Sequence, residues 1–261
     1  KYLSGIRAWH FAQGWPEPLT EGDQARIGFS LRGLENKQEG KRKRPPRPPV
    51  TLPMLACLKS SLNLADPFEA CVWAMAACAF WGMMRFGEVS VKSRPQFSPT
   101  RHLTRADAFF GHDLDGRPYA RLSLPSAKTA RPGDRQLVFL TEQGTICPLA
   151  ALRNLAVVKP GMSRVNPWVT VGRTAQKPMG HTIRGTVMKM INGIFVRNGF
   201  GTSFGHSFRI GGASFFLGQK VDPEVVRLAG RWRSLAYEAY VRAFEQISSQ
   251  HMANLSQRYD L

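Results

Sequence analysis

The chain has 261 residues, of which 43% are hydrophobic, enough for one large domain or a domain plus a fragment with a sizeable core. Its 36 Lys and Arg against 18 Asp and Glu give a formal charge of +18, which calls for a polyanionic partner, because cations that neutralise phosphates release condensed counterions. Four dispersed cysteines, Cys57, Cys71, Cys78 and Cys147, argue against a disulfide scaffold and a closely paired zinc site and point to a reducing compartment, while the charge alone leaves nucleic acid and membrane surfaces both open.

No secretory signal opens the sequence, and Lys1 in place of Met is expected of a chain that begins inside a longer protein. Residues 1–40 read as helical and polar. The run KRKRPPRPP at 41–49 then interrupts the pattern, since proline blocks helix continuation and five basic residues keep the segment solvated. It reads as a linker, with a solvated loop, a DNA-tracking strap and a nuclear import signal all open as its use. A main domain is expected over 51–261. Its first short helix is expected to start at Pro53. A second is announced by Asp66-Pro67-Phe68-Glu69, in which Asp66 caps, Pro67 suits the first position and Glu69 can close a capping box. That helix is expected to run to Met84. Its apolar stretch, 67–86, contains Glu69 and Arg85 and therefore reads as a buried helix and not as a membrane span.

From 102 to 141 the periodicity changes, with PYARLSLP, a Thr-Ala-Arg-Pro-Gly-Asp turn and QLVFL forming a β-hairpin that carries Lys128 at or near its tip. After Pro148 the pattern is helical again, with breaks near 159–161 and at Gly180, Gly199–Gly201, Gly218 and Gly230. The order of elements gives an α+β, mostly helical fold with one small antiparallel sheet.

Three groups of residues stand out. His206 and Arg209 in GHSFRIGG are three apart and share a helical face, so both could grip one phosphate, although such pairs are also common on solvated faces. Arg85 leaves the end of an apolar helix in RFGE; Glu88 could neutralise it in a purely structural ion pair, or its planar fork could meet phosphate oxygens. In GRWRSLAYEAYVRAF, Tyr237, Tyr240 and Phe244 form one helical stripe, a pattern that usually marks core, as Trp232 usually marks packing.

Taken in order, Arg85 in RFGE, Lys128 on a hairpin, HSFR at 206–209, Trp232 and Tyr240 resemble the active-site set of the tyrosine recombinase (phage integrase) family. The resemblance covers residues 50–245; Trp232 follows Arg209 by 23 residues and Tyr240 follows Trp232 by eight, a step similar to that of fungal and Crypton-type transposon recombinases. The opening KYLSGIRAWH is similar to the last helix of the family's core-binding domain, so 1–40 is expected to be a fragment of it, joined by the linker at 41–50 to an integrase-type catalytic domain.

The resemblance implies cutting and rejoining of double-stranded DNA through a 3′-phosphotyrosine, without metal, ATP or another cofactor. It implies that Arg85 and Arg209 hold the non-bridging oxygens and that His206 helps favour the phenolate. Lys128 would protonate the leaving 5′-hydroxyl, Trp232 would donate its indole N–H, and Tyr240 would attack, with Tyr237 the alternative nucleophile. Lys41, Arg42, Lys43, Arg44, Arg47, Arg131, Arg231 and Arg233 are expected DNA contacts, no membrane partner is expected, and the assembly is expected to be a homotetramer on two sites. The basic linker and the fungal-like spacing favour a nucleus. A domesticated protein with the fold but no activity, and a type IB topoisomerase-like strand transferase, remain the alternatives.

Overall fold

The structure, a computed structural model, describes residues 2–37, 48–126, 135–158 and 183–232. The chain divides into two units, Lys1–Pro46 and Arg47–Leu261.

The first unit holds α1 (Tyr2–Ala12) and α2 (Glu21–Lys37). Thr20 starts α2 through a reciprocal cap: its hydroxyl donates to the Asp23 carboxylate at 2.6 Å and accepts from the Asp23 N–H at 3.2 Å. Between the helices, Trp9 and Trp15 meet edge to face with centroids 4.8 Å apart. Both helices carry exposed aromatic side chains, among them Tyr2, Phe11 and Phe29.

In the second unit α3 (Leu52–Ser60) begins one residue before the expected Pro53, because the Thr51 hydroxyl accepts from the Met54 N–H. Asp66 caps α4 (Pro67–Trp81) by accepting from the N–H groups of Phe68 and Glu69 at 3.0 and 3.1 Å. Every residue from Ala70 to Trp81 is buried, so α4 is the axis of the core. It stops at Gly82, short of the expected Met84, and Met83 takes a left-handed φ of 43°. That early stop releases residues 83–88 as a turn, which carries Arg85 out of the core.

Three strands follow, β1 (Ala108–His112), β2 (Pro118–Leu124) and β3 (Gln136–Thr141), antiparallel in the order β1-β2-β3. The expected hairpin is β2 and β3, paired from Tyr119 opposite Thr141 to Leu124 opposite Gln136. Strand β1 lies outside the sequence expectation: its short FFGH run shows no clean alternation in burial. Ala120, Leu122, Leu124, Val138 and Leu140 form the inner face and are buried in the core.

Helix α5 (Pro148–Val158) packs on α4, and α6 (Ile183–Arg197) on α3. Helix α7 (Gly205–Gly218) also packs on α4, at a distance that only glycine allows: a Cβ on Gly211 or Gly212 would lie 2.0 Å from the carbonyl oxygens of Val50 and Phe80. The short α8 (Pro223–Ala229) is capped by Asp222 and ends at Gly230, as the glycine pattern suggests. No described helix is long and apolar enough to cross a membrane.

Candidate functional site

Three turns meet where α4, α7 and α8 come together. The first, residues 83–88, is built around the Glu88 carboxylate, only 7% of whose side-chain surface is exposed. One oxygen accepts from the Arg85 guanidinium at 2.9 Å; the other accepts from the Arg85 main-chain N–H at 3.0 Å and from Arg231 Nη2 at 2.9 Å. The structural ion pair open to Arg85 is therefore made. Even so, the Arg85 side chain keeps 26% of its surface exposed, and among the described residues only its Nη1 is engaged. Its other guanidinium donors have no partner among the described residues.

The second turn is the start of α7, which carries His206 and Arg209. His206 is half-buried, while Arg209 is 1% exposed. Arg209 Nη1 donates to the Met83 carbonyl and Nη2 to the Gly230 carbonyl at 2.6 Å, and the Trp232 ring lies across the guanidinium with its centroid 4.1 Å from Cζ. Arg209 thus ties the Arg85 turn to the third turn, Gly230–Trp232. A buried cation with two carbonyl acceptors and an aromatic face is well compensated for its lost hydration.

In the third turn Trp232, 8% exposed, folds back over Gly230 so closely that a Cβ there would lie 1.4 Å from the ring. Arg231 has a left-handed φ of 61°, which turns its side chain inward. Its guanidinium pairs with Glu88 and reaches the Gly82 carbonyl at 3.2 Å, leaving 6% of the side chain exposed. Burial pulls the Arg231 pKa below the ordinary arginine value, with the neighbouring Arg85 adding to the shift and Glu88 opposing it.

Four of the expected site residues, Arg85, His206, Arg209 and Trp232, belong to these three turns. The hydrogen bonds among the turns bring Arg85, Arg209 and Trp232 to one place. Two of the expected site residues have internal partners. Arg231, assigned to DNA contact, is turned inward by its backbone and held by Glu88. Arg209, expected to offer a fork to phosphate, has both terminal nitrogens on main-chain carbonyls in this conformation. Lys128 and Arg131, the linker residues Lys41, Arg42, Lys43, Arg44 and Arg47, and Arg233, Tyr237 and Tyr240 lie outside the described residues. Sequence reasoning finds Glu88 as a partner for Arg85 but misses its bond to Arg231, 143 positions away, for which no local pattern exists. Among the described residues no group of three or more His, Cys, Asp or Glu side chains could hold a metal ion.

No model of a known family matches the sequence, and no curated protein matches it either. Solved structures do. The XerH site-specific recombinase, in a post-cleavage complex with palindromic difH substrate, superposes with a TM-score of 0.52 at 12% identity over 81% of this chain. XerA recombinase gives 0.49 at 16% identity, covering 95% of this chain and 74% of the other, and an Flpe–Holliday junction complex gives 0.45 at 14%, covering 69% and 43%. The chain spans 54% of the XerH chain, about half its length. Mostly helical, with a three-stranded antiparallel sheet, this chain has the fold of a tyrosine recombinase catalytic domain.

Proposed function

We propose that the chain is a site-specific DNA strand transferase that cuts and rejoins double-stranded DNA through a covalent 3′-phosphotyrosine. The observation that carries this reading is the convergence of Arg85, Arg209 and Trp232 from three separate turns on a recombinase-type fold. The net charge of +18 supplies the affinity for a DNA backbone.

Attack on a phosphodiester gathers negative charge on the non-bridging oxygens, so fixed cations beside them lower the barrier. Arg85 is partly exposed, with guanidinium donors that have no partner among the described residues, and receives one oxygen. Arg209 exchanges its carbonyl acceptors, Met83 and Gly230, for phosphate oxygens; the Trp232 ring keeps its guanidinium flat and dry, and the indole N–H adds a donor. His206, one helical turn before Arg209, assists the phenol. The Tyr240 oxygen bonds to phosphorus as the bond to the 5′-oxygen breaks, and Lys128 delivers the proton that makes this leaving group a hydroxyl. Reversal by another 5′-hydroxyl reseals the strand, because the phosphotyrosine keeps the energy of the broken bond. The active assembly on this reading is a homotetramer on two DNA sites. A nuclear location and a Crypton-like ancestry belong to the same proposal, and rest on the linker and on the spacing of Trp232 and Tyr240.

A pool of nicked duplexes with randomised cores, incubated with the full chain and run on a denaturing gel, tests the reading. Wild type and Tyr237→Phe are expected to yield DNA-linked protein while Tyr240→Phe yields none; adduct retained by Tyr240→Phe and lost from Tyr237→Phe moves the nucleophile, and adduct from neither wild type nor variants refutes the activity.

A further inference from the structure

Beside the three turns lies a cleft of about 630 Å³, formed by residues 87–102 and the start of α6. Its lining includes Lys92, Arg101, His102 and Arg184, together with Ser98, and, among the described residues, contains no carboxylate. Lys92, Arg101 and Arg184 are exposed, and among the described residues none of them has an ion-pair partner. Elsewhere in this unit Arg85, Arg117, Arg135, Arg227 and Arg231 each pair with an acid. Three cations around one concavity, with no counter-charge among the described residues, create a positive potential that an anion would relieve.

The walls are held in place. The Arg184 main-chain N–H donates to the Val91 carbonyl at 3.1 Å, which fixes the start of α6 against residues 89–92. The Ser98 N–H donates to His102 Nδ1 at 3.1 Å, and the Phe97 ring stands 5.8 Å from the His102 ring, which fixes the loop that carries Arg101. The Arg184 guanidinium also reaches the site already described. A Cβ on Gly205 would lie 3.3 Å from its Nη2, and one on Gly87 would lie 3.8 Å from its Nη1. Gly205 precedes His206, and Gly87 follows Arg85 by two residues, so this guanidinium rests on both segments that supply the site.

We propose that this cleft binds a second phosphate of the same DNA strand, next to the one that is cut, with Arg184 as the positioning residue between the two. The proposal rests on the DNA-binding part of the reading above. Successive phosphates of one strand are spaced about 3.4 Å along the helix axis, so a strand held at Arg85 must continue past its neighbours, and the cleft provides cations on that continuation. Holding a flanking phosphate fixes the strand's direction through the site, which Arg85 and Arg209 alone, gripping one phosphate, leave free to rotate.

The test compares the full chain with Lys92→Gln/Arg101→Gln/Arg184→Gln, using fluorescence anisotropy with a labelled duplex at a series of salt concentrations. Each lost phosphate contact reduces the steepness of log K against log salt by about 0.9, so a fall of about 0.9 is expected for the one phosphate proposed here. Arg184→Lys, which keeps the charge, should keep most of the slope and shows whether loss of folding explains the triple variant. An unchanged slope in the triple variant overturns the proposal. Inorganic phosphate and pyrophosphate, followed by phosphorus NMR line broadening, separate the two sources of the anion. Broadening by wild type alone together with an altered slope supports a DNA phosphate site; broadening with an unchanged slope marks a site for free anions and overturns the DNA assignment. Because the slope needs no chemistry, it decides the cleft whether or not wild-type adduct forms, and a missing adduct counts against the strand-transfer reading alone.

Discussion

Two arginine-rich regions lie side by side in the second unit and treat their charges in opposite ways. Around Glu88 the guanidinium groups are internal structure: Arg231 and Arg209 are buried and committed to Glu88, to carbonyls of Gly82, Met83 and Gly230, and to the Trp232 ring. In the neighbouring cleft Lys92, Arg101 and Arg184 stand exposed, with no acid beside them among the described residues. A high net charge therefore does not say which cations meet the partner. Exposed unpaired cations supply attraction and salt dependence, whereas buried paired ones supply rigidity and the geometry in which the partly exposed Arg85 is held.

Arg209 is where this contrast is most vulnerable. Arg209→Met should strip two carbonyls of a charge-assisted donor and Trp232 of its cation, with a loss of ~3 kcal/mol in unfolding free energy by urea denaturation. If Arg209 also receives the phosphate, covalent adduct falls at least ~100-fold as well, as expected for loss of an oxyanion donor. A stable, active Arg209→Met protein would remove Arg209 from both roles. Next comes Glu88→Gln, which leaves Arg231 buried with its counter-charge gone; a destabilisation of ~3 kcal/mol is expected, read from the same denaturation curves. Arg85→Gln probes the exposed side of the contrast. Because its side chain is partly exposed and holds one ion-pair bond, stability should change by less than ~1 kcal/mol, yet adduct should fall ~100-fold. The smallest effect concerns the rigid frame itself. Cys71, Cys78 and Cys147 are buried, and burial pushes the Cys78 thiol well above its ordinary pKa, so a thiol reagent should label Cys57 first and the other three only on unfolding. Equal labelling of all four in buffer would show that the α4 core opens readily.

Much of the frame is legible in the sequence because its signals are local. Asp66-Pro67 announces the start of α4, Gly218 and Gly230 mark helix ends, and the alternation of PYARLSLP and QLVFL defines β2 and β3. Strand β1 stays hidden because its pattern is mixed, and the apolar run extends α4 three residues too far because nothing local shows that Met83 turns left-handed. In the site, residue types and order point to Arg85, His206, Arg209 and Trp232. The orientation of Arg231 and the inward fork of Arg209 are not legible, since both depend on partners brought together by the fold. The cleft is invisible for the same reason: Lys92 and Arg101 lie far from Arg184 in sequence and meet only across a loop and a helix start.

Everything proposed for the chemistry requires that a tyrosine oxygen displace a DNA 5′-oxygen at this set of turns, and localising the resulting bond decides it. Adduct from the wild-type chain, digested with trypsin and nuclease, should yield the peptide spanning 234–242 with a nucleotide mass that fragmentation assigns to Tyr240. A nucleotide on Tyr237 or any other residue, or nucleotide-free peptide from a reaction in which DNA has been cleaved, would refute that displacement at Tyr240.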